Sequence, residues 1–146
     1  MDYFKAAGDN ERQKMTNLFE QFGITSYVFT KSDGYDRVEG YYTGKTGNEY
    51  VFEVKCRDLA TTAYTQTIIE KKKVDAVLEE SDKSNHKPIL FFFFTDGNCM
   101  FQRLDKQTYY STIYMNAPVT TMGYNEKVLK PFVPFNITTN KLIKLN

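Results

Sequence analysis

Tryptophan is absent from this 146-residue chain, histidine occurs once and cysteine only twice. Cys56 and Cys99 lie far apart and without metal-ligand spacing, so neither a zinc cluster nor a disulfide framework is indicated, and both read as buried small hydrophobes. The lone histidine, His86, sits in a polar loop before Pro88 with no second histidine or cysteine nearby, and it reads as a solvent-exposed loop residue with no ligand role. Net charge is also scarce: 19 basic against 18 acidic residues leave +1. The molecule as a whole therefore does not attract nucleic acid, and any such binding must come from a local patch. No apolar run approaches the roughly 20 residues that cross a bilayer. The opening Met1-Asp2-Tyr3-Phe4-Lys5 lacks the apolar stretch of a signal peptide, so the expected location is cytoplasmic and no membrane partner is expected. There is no internal repeat and no low-complexity linker.

What is present suffices for one hydrophobic core. With 41% apolar residues in 17.0 kDa, the chain is expected to form a single domain over 1–146. Met15, Leu18, Phe19 and Phe22 recur at helical spacing from Asn10 to Phe22, and Gly23 ends the run. Ile24 to Thr30 is β-branched and aromatic and predicts a strand, followed by a Ser32-Asp33-Gly34 turn. Tyr35 to Thr43 and Asn48 to Arg57 predict two strands joined as a hairpin through Gly44-Lys45-Thr46-Gly47. The period then changes: Ile68, Ile69, Val74, Val77 and Leu78 lie among charged residues and predict a second helix, capped at Thr61 or Thr62. Pro88 introduces Ile89-Leu90-Phe91-Phe92-Phe93-Phe94, a run suited to the centre of a sheet covered on both faces. Asp96-Gly97-Asn98 predicts a turn into a further strand from Cys99. The Tyr-rich remainder predicts no clear element; Tyr109, Tyr110, Tyr114 and Tyr124 suit either stacking on unpaired bases or a subunit interface.

The chemistry concentrates in Tyr-Val-Phe-Glu-Val-Lys-Cys, residues 50–56. Residues two apart in a strand share a face, so Val51, Glu53 and Lys55 point one way and Tyr50, Phe52, Val54 and Cys56 the other, which reads as core. A carboxylate and an ammonium in so apolar a strand must be paired, hydrogen-bonded or metal-bound if buried. A hairpin centred between Lys45 and Thr46 places Asp36 opposite Lys55 and diagonal to Glu53. Asp36, Glu53 and the main-chain carbonyl of Val54 then form an oxygen-rich site suited to Mg²⁺ or Mn²⁺. A hard cation there lowers the pKa of bound water and neutralises charge on a phosphoryl oxygen, while Lys55 orients or helps deprotonate the water. The bland alternative is a surface ion-pair ladder, for which cross-strand charges contribute at most about 1 kcal/mol.

This constellation resembles the PD-(D/E)XK, or restriction-endonuclease-like, nuclease superfamily. The likeness runs from about Asn10 to Phe94 and rests on the helix, the hairpin with Asp36, then Glu53-Val54-Lys55, then helix and strand. The resemblance implies an α/β fold with an αβββαβ core and a mixed central sheet flanked by helices, with residues 95–146 as a C-terminal elaboration carrying extra strands. It implies an Mg²⁺-dependent (or Mn²⁺-dependent) phosphodiesterase acting on DNA or, less often, RNA, most simply an endonuclease, with Asp36 and Glu53 as metal ligands and Lys55 as the catalytic lysine. Small nucleases of phages and mobile elements are the nearest likeness. One departure is that Tyr35, not proline, precedes Asp36, and Asp33 is a rival under another register. The family commonly adds an acid on the first helix and a polar or basic residue on the helix after the Glu-x-Lys. Glu20 and Lys73 are the candidates, with Gln66, Glu70 and Lys73 on one helical face by spacing. A homodimer would supply two sites for double-strand or junction cleavage. The alternative expectation is a catalytically silent nuclease-like fold serving as a nucleic-acid-binding or protein-interaction module.

Overall fold

The protein was examined as a computed structural model, which describes residues 3–30, 38–118 and 127–146. Helix α1 (Tyr3–Gln21) leads through β1 (Tyr27–Phe29), β2 (Gly40–Thr43), β3 (Glu49–Cys56) and β4 (Gln66–Glu70) to helix α2 (Lys71–Ser84). Strands β5 (Lys87–Phe93), β6 (Asn98–Arg103), β7 (Ile113–Pro118), β8 (Lys127–Asn136) and β9 (Leu142–Lys144) follow.

Helix α1 ends as its sequence predicts. Gly23 takes a left-handed φ of 69°, the Gly23 N–H bonds to the Glu20 carbonyl and the Ile24 N–H to that of Phe19, which satisfies carbonyls the helix would otherwise strand. Met15, Leu18 and Phe19 then press onto Tyr42, Phe52 and Phe91 on one face of a six-stranded sheet. The sheet order is β1-β2-β3-β5-β6-β9. Strand β5 runs parallel to its neighbour β3 and antiparallel to β6, and Leu90, Phe92 and Phe93 are essentially inaccessible. The four-phenylalanine run is thus a central strand covered on both sides, as its lack of alternation implies.

The other face is closed by α2, through Val74 and Val77, and by a second sheet of order β4-β8-β7, through Ile69, Val133 and Phe135. Here the sequence reading needs correction. Gln66 to Glu70 is strand β4, paired to β8 from Gln66↔Asn136 to Glu70↔Phe132, and α2 starts only at Lys71, with Glu70 and not Thr61 or Thr62 as its N-cap residue. Thr67 and Ile69 are buried while Ile68 lies between, a period of two set by pairing to a strand more than sixty residues away in sequence. That partner is invisible in a local pattern. Gln66 and Glu70 accordingly do not share a helical face with Lys73.

The β2–β3 hairpin forms at the predicted glycines, with the Gly44 N–H bonded to the Asn48 carbonyl and the Gly47 N–H to that of Gly44. Its register is one residue from the one expected: Thr43 pairs with Glu49 and Gly40 with Phe52, so the turn centres on Thr46. Val51 is also fully buried, so both faces of β3 are core. The expected turn at Ser32-Asp33-Gly34 and the residue Asp36 lie outside the described residues.

Candidate active site

Strand β3 carries its carboxylate inward. Glu53 is only 4% exposed, because β3 is flanked by β2 and β5 and roofed by α2. One Glu53 oxygen, Oε1, accepts the Val54 N–H at 3.2 Å, and the other, Oε2, lies 4.0 Å from Nζ of Lys73 in the first turn of α2. Burial pushes the Glu53 carboxyl up to about 7, against the opposing pull of Lys73, and the neighbouring charge of Glu39 raises it further. Lys55 stands two residues on along the same face, within electrostatic reach of Glu53 and Glu11.

Among the described residues, Glu39 is an acid whose charge acts on Glu53. It sits at a bulge: the Glu39 N–H bonds to the Phe52 carbonyl at 3.1 Å although Gly40 is the ladder partner of Phe52, so two residues there oppose one. Glu39 is held by Arg12 of α1, whose Nε lies 3.3 Å from Glu39 Oε1. The Arg12 guanidinium also donates to the Thr30 carbonyl and stacks over Phe29 at 5.5 Å. Thr30 completes the clamp, its hydroxyl donating to the Val38 carbonyl at 2.6 Å and its N–H to that of Glu39 at 2.9 Å.

A third carboxyl enters from α1. Glu11 is pushed up to about 8 by burial and then by the charges of Glu39 and Glu53, with Lys55 and Lys73 opposing. Glu11 is thus an α1 acid within electrostatic reach of Glu39 and Glu53. Glu20, the sequence candidate, is exposed on the helix surface away from this group. Sequence reasoning missed Glu11, Arg12 and Glu39. A signal existed for Glu11: it stands four residues before Met15 and seven before Leu18, an acid in the stripe that faces the sheet.

The donor set is oxygen only. Because the Phe52 carbonyl points to the β2 side, strand alternation points the Val54 carbonyl the same way, toward the chain carrying Glu39. Glu53, Glu39 and this carbonyl offer hard ligands to a cation, with Glu11 nearby. Among the described residues no group of three or more His, Cys, Asp or Glu side chains is placed to hold a metal ion. One or two carboxylates with waters are what Mg²⁺ typically takes. Glu11, Glu39 and Glu53 stand among Arg12, Lys55 and Lys73, so a divalent ion bound there would have to displace protons from Glu53 and Glu11.

Both cysteines stand apart from this chemistry. Burial pushes the Cys99 thiol up to about 12 and that of Cys56 up to about 11, so neither is a nucleophile at neutral pH. A cavity of about 540 Å³ lined by Phe19, Tyr42, Phe91, Phe101 and Ile143 lies on the α1 side of the sheet, whereas the Glu53 side chain is on the α2 side.

Comparison with known proteins places the fold. No protein-family model matches the chain, and no curated protein matches it. Among solved structures, it is similar to Hjc of Archaeoglobus fulgidus, a Holliday junction resolvase from an archaeal hyperthermophile, with a TM-score of 0.59 at 11% identity. The match covers 93% of this chain and 91% of that one.

Proposed function

We propose that this chain, whose mixed α/β fold is of the restriction-endonuclease-like kind, is a divalent-cation-dependent nuclease that hydrolyses phosphodiester bonds in DNA, acting as an endonuclease. The observation that carries the reading is Glu53: a carboxylate buried in a central strand, with Lys55 two residues on and Lys73 at 4.0 Å, an arrangement that costs stability unless it is used. Glu53, the Val54 carbonyl and Glu39 hold the cation. Asp36, outside the described residues, is proposed as a further ligand from the chain entering β2. When bound, Mg²⁺ or Mn²⁺ supplies a more acidic water and charge neutralisation at the phosphoryl group.

The protein's own groups do the rest. Lys55 orients the attacking water, Lys73 steadies Glu53 and meets the phosphate, Arg12 fixes Glu39, and Glu11 accepts a proton beside them. Branched DNA enters the reading as a substrate because the fold neighbour is a Holliday junction resolvase, and resolution of a junction would call for a homodimer with two such sites.

The test incubates the protein with linear, supercoiled, single-stranded and branched DNA in Mg²⁺, Mn²⁺ or EDTA, beside Glu53→Ala and Lys55→Ala, with each fold checked by circular dichroism. Cleavage in metal, lost by at least about 100-fold in both folded variants, is the expected result. A wild type that cuts none of these substrates would favour the silent binding module, a reading that the lack of three such side chains placed to hold a metal ion among the described residues keeps in view.

A further inference from the structure

Strands β7 and β8 form an antiparallel ribbon that extends beyond the main body. Val133 and Phe135 of β8 point into the core, and by strand alternation Pro131, Leu129 and Lys127 lie on that same side. Their partners across the ribbon are Tyr114, Asn116 and Pro118. The core-facing side of the ribbon thus runs on past the core, leaving Tyr114 and Leu129 each 65% exposed. Tyr109, just before β7, is 88% exposed. Tyr110, by contrast, has a structural role: its hydroxyl accepts the Asp105 N–H at 2.7 Å and its ring packs on Phe135. Tyr124 lies outside the described residues.

The charge beside this aromatic surface is basic. Lys71, Lys72 and Lys73 occupy the first turn of α2, where no acid is present. That is the end of a helix where the backbone already presents positive charge, and each of the three lysines has a carboxylate near it, Asp75, Glu70 and Glu53 in turn. Lys71 pairs with Asp75 at 2.7 Å and lies within electrostatic reach of both Tyr114 and Tyr109. Lys72 and Lys130 of β8 converge on Glu70 at 3.2 and 3.9 Å, on the ribbon face opposite Tyr114, since Glu70 pairs with Phe132 and Tyr114 with Pro131.

We propose that the β7–β8 ribbon and the start of α2 form a binding surface for DNA with unpaired bases, Tyr114 and Tyr109 stacking on bases while Lys71 meets an adjoining phosphate. The choice of DNA rests on the nuclease reading. The division of labour follows from chemistry: exposed aromatic rings offer a face to any base once it is unstacked, whereas bases inside a duplex have none to give. The enzyme's preference would then be for splayed or single-stranded segments.

The test measures anisotropy of a fluorescein-labelled oligothymidylate, a splayed fork and a blunt duplex in EDTA, where no cleavage occurs, for wild type, Tyr114→Ala, Tyr114→Phe and Tyr109→Ala. Expected is a loss of about tenfold in affinity for the oligothymidylate and the fork with each alanine variant, recovery with Tyr114→Phe, and unchanged duplex binding. Equal loss on all three probes, or no loss, overturns the proposal. So does a Tyr114→Ala protein that binds normally but changes its sedimentation from dimer to monomer, which would make the ribbon a subunit interface. Because the readout is binding, a wild type that shows this pattern but never cuts DNA would sink the nuclease reading alone. A wild type that cuts DNA while the tyrosine variants bind like it would sink only the ribbon proposal.

Discussion

Glu53 and Glu11 are acids whose environment favours their protonated forms, and this sets a pH dependence of stability. A carboxyl whose pKa is raised by folding contributes stability that is complete below its unfolded value, near 4.5, and is lost as pH rises through its folded value. For Glu53 and Glu11 those folded values are about 7 and about 8, so the metal-free protein is expected to lose stability between about pH 5 and pH 8 from these groups. Glu53→Gln removes the larger burial of charge. Metal-free, it should be more stable than wild type at pH 8 by about 2 kcal/mol, or about 5 °C in melting temperature, with the gap closing at pH 5. Thermal melts in EDTA at the two pH values check this; a variant that melts lower than wild type at pH 8 would mean that Glu53 is held by more partners than Val54 and Lys73. The residue scale is where the sequence spoke most clearly. Glu53 and Lys55 stood out because a strand of Tyr, Val, Phe and Cys should contain neither. Glu39 did not, because its place depends on a bulge opposite Phe52 and on Arg12 of α1, neither of which leaves a mark in a local pattern.

Among the elements, β2 is the one whose position the proposed site needs most, since Glu39 immediately precedes it. Gly40 explains how it sits so close to β1. A Cβ at that position would lie 2.3 Å from the Val28 carbonyl oxygen and 3.0 Å from the Phe52 ring, and both neighbours are fixed, one by strand pairing and one by the core. Gly40→Ala is therefore expected to cost about 1–3 kcal/mol through overpacking and to lower cleavage by displacing Glu39. Urea unfolding monitored by circular dichroism, together with the rate of DNA cleavage, measures the two effects; an alanine variant of wild-type stability would show that β1 can move away freely. The second half of α1, β3 and the centre of β5 could be recognised because their apolar spacing or composition is written in neighbouring residues, although α1 begins at Tyr3, ahead of the Asn10 start expected. Strand β4 could not, because five residues carry too little period to separate strand from helix when a helix follows directly.

At the scale of the molecule, two layers of core clamp the sheet, and the acidic group lies where α1, α2 and the β2–β3 hairpin meet. A cation bound as proposed would compete with protons there. Mg²⁺ is expected to raise the melting temperature by several degrees at pH 8, where the carboxyls are losing their protons, and by much less at pH 5.5. The same titration on Glu53→Gln should show little response at either pH. A wild-type response of equal size at both pH values, or one retained in the variant, would place the ion elsewhere. Among the described residues no helix is long and apolar enough to cross a membrane, which agrees with the absence of a long apolar run.

The sequence by itself determined the helix that ends at Gly23, the hairpin at Gly44 to Gly47, the buried central strand and the pairing of Glu53 with Lys55 on one face. Each is a local matter of φ preference, side-chain period or the cost of burying charge, and so is written within a few neighbouring residues. Long-range packing, by contrast, put Glu11 and Glu39 within electrostatic reach of Glu53 and tied α1 to Glu39 through Arg12. Those juxtapositions depend on strand register and on how layers pack across long stretches of chain, where a shift of one residue moves a side chain to the opposite face at little cost to the local pattern.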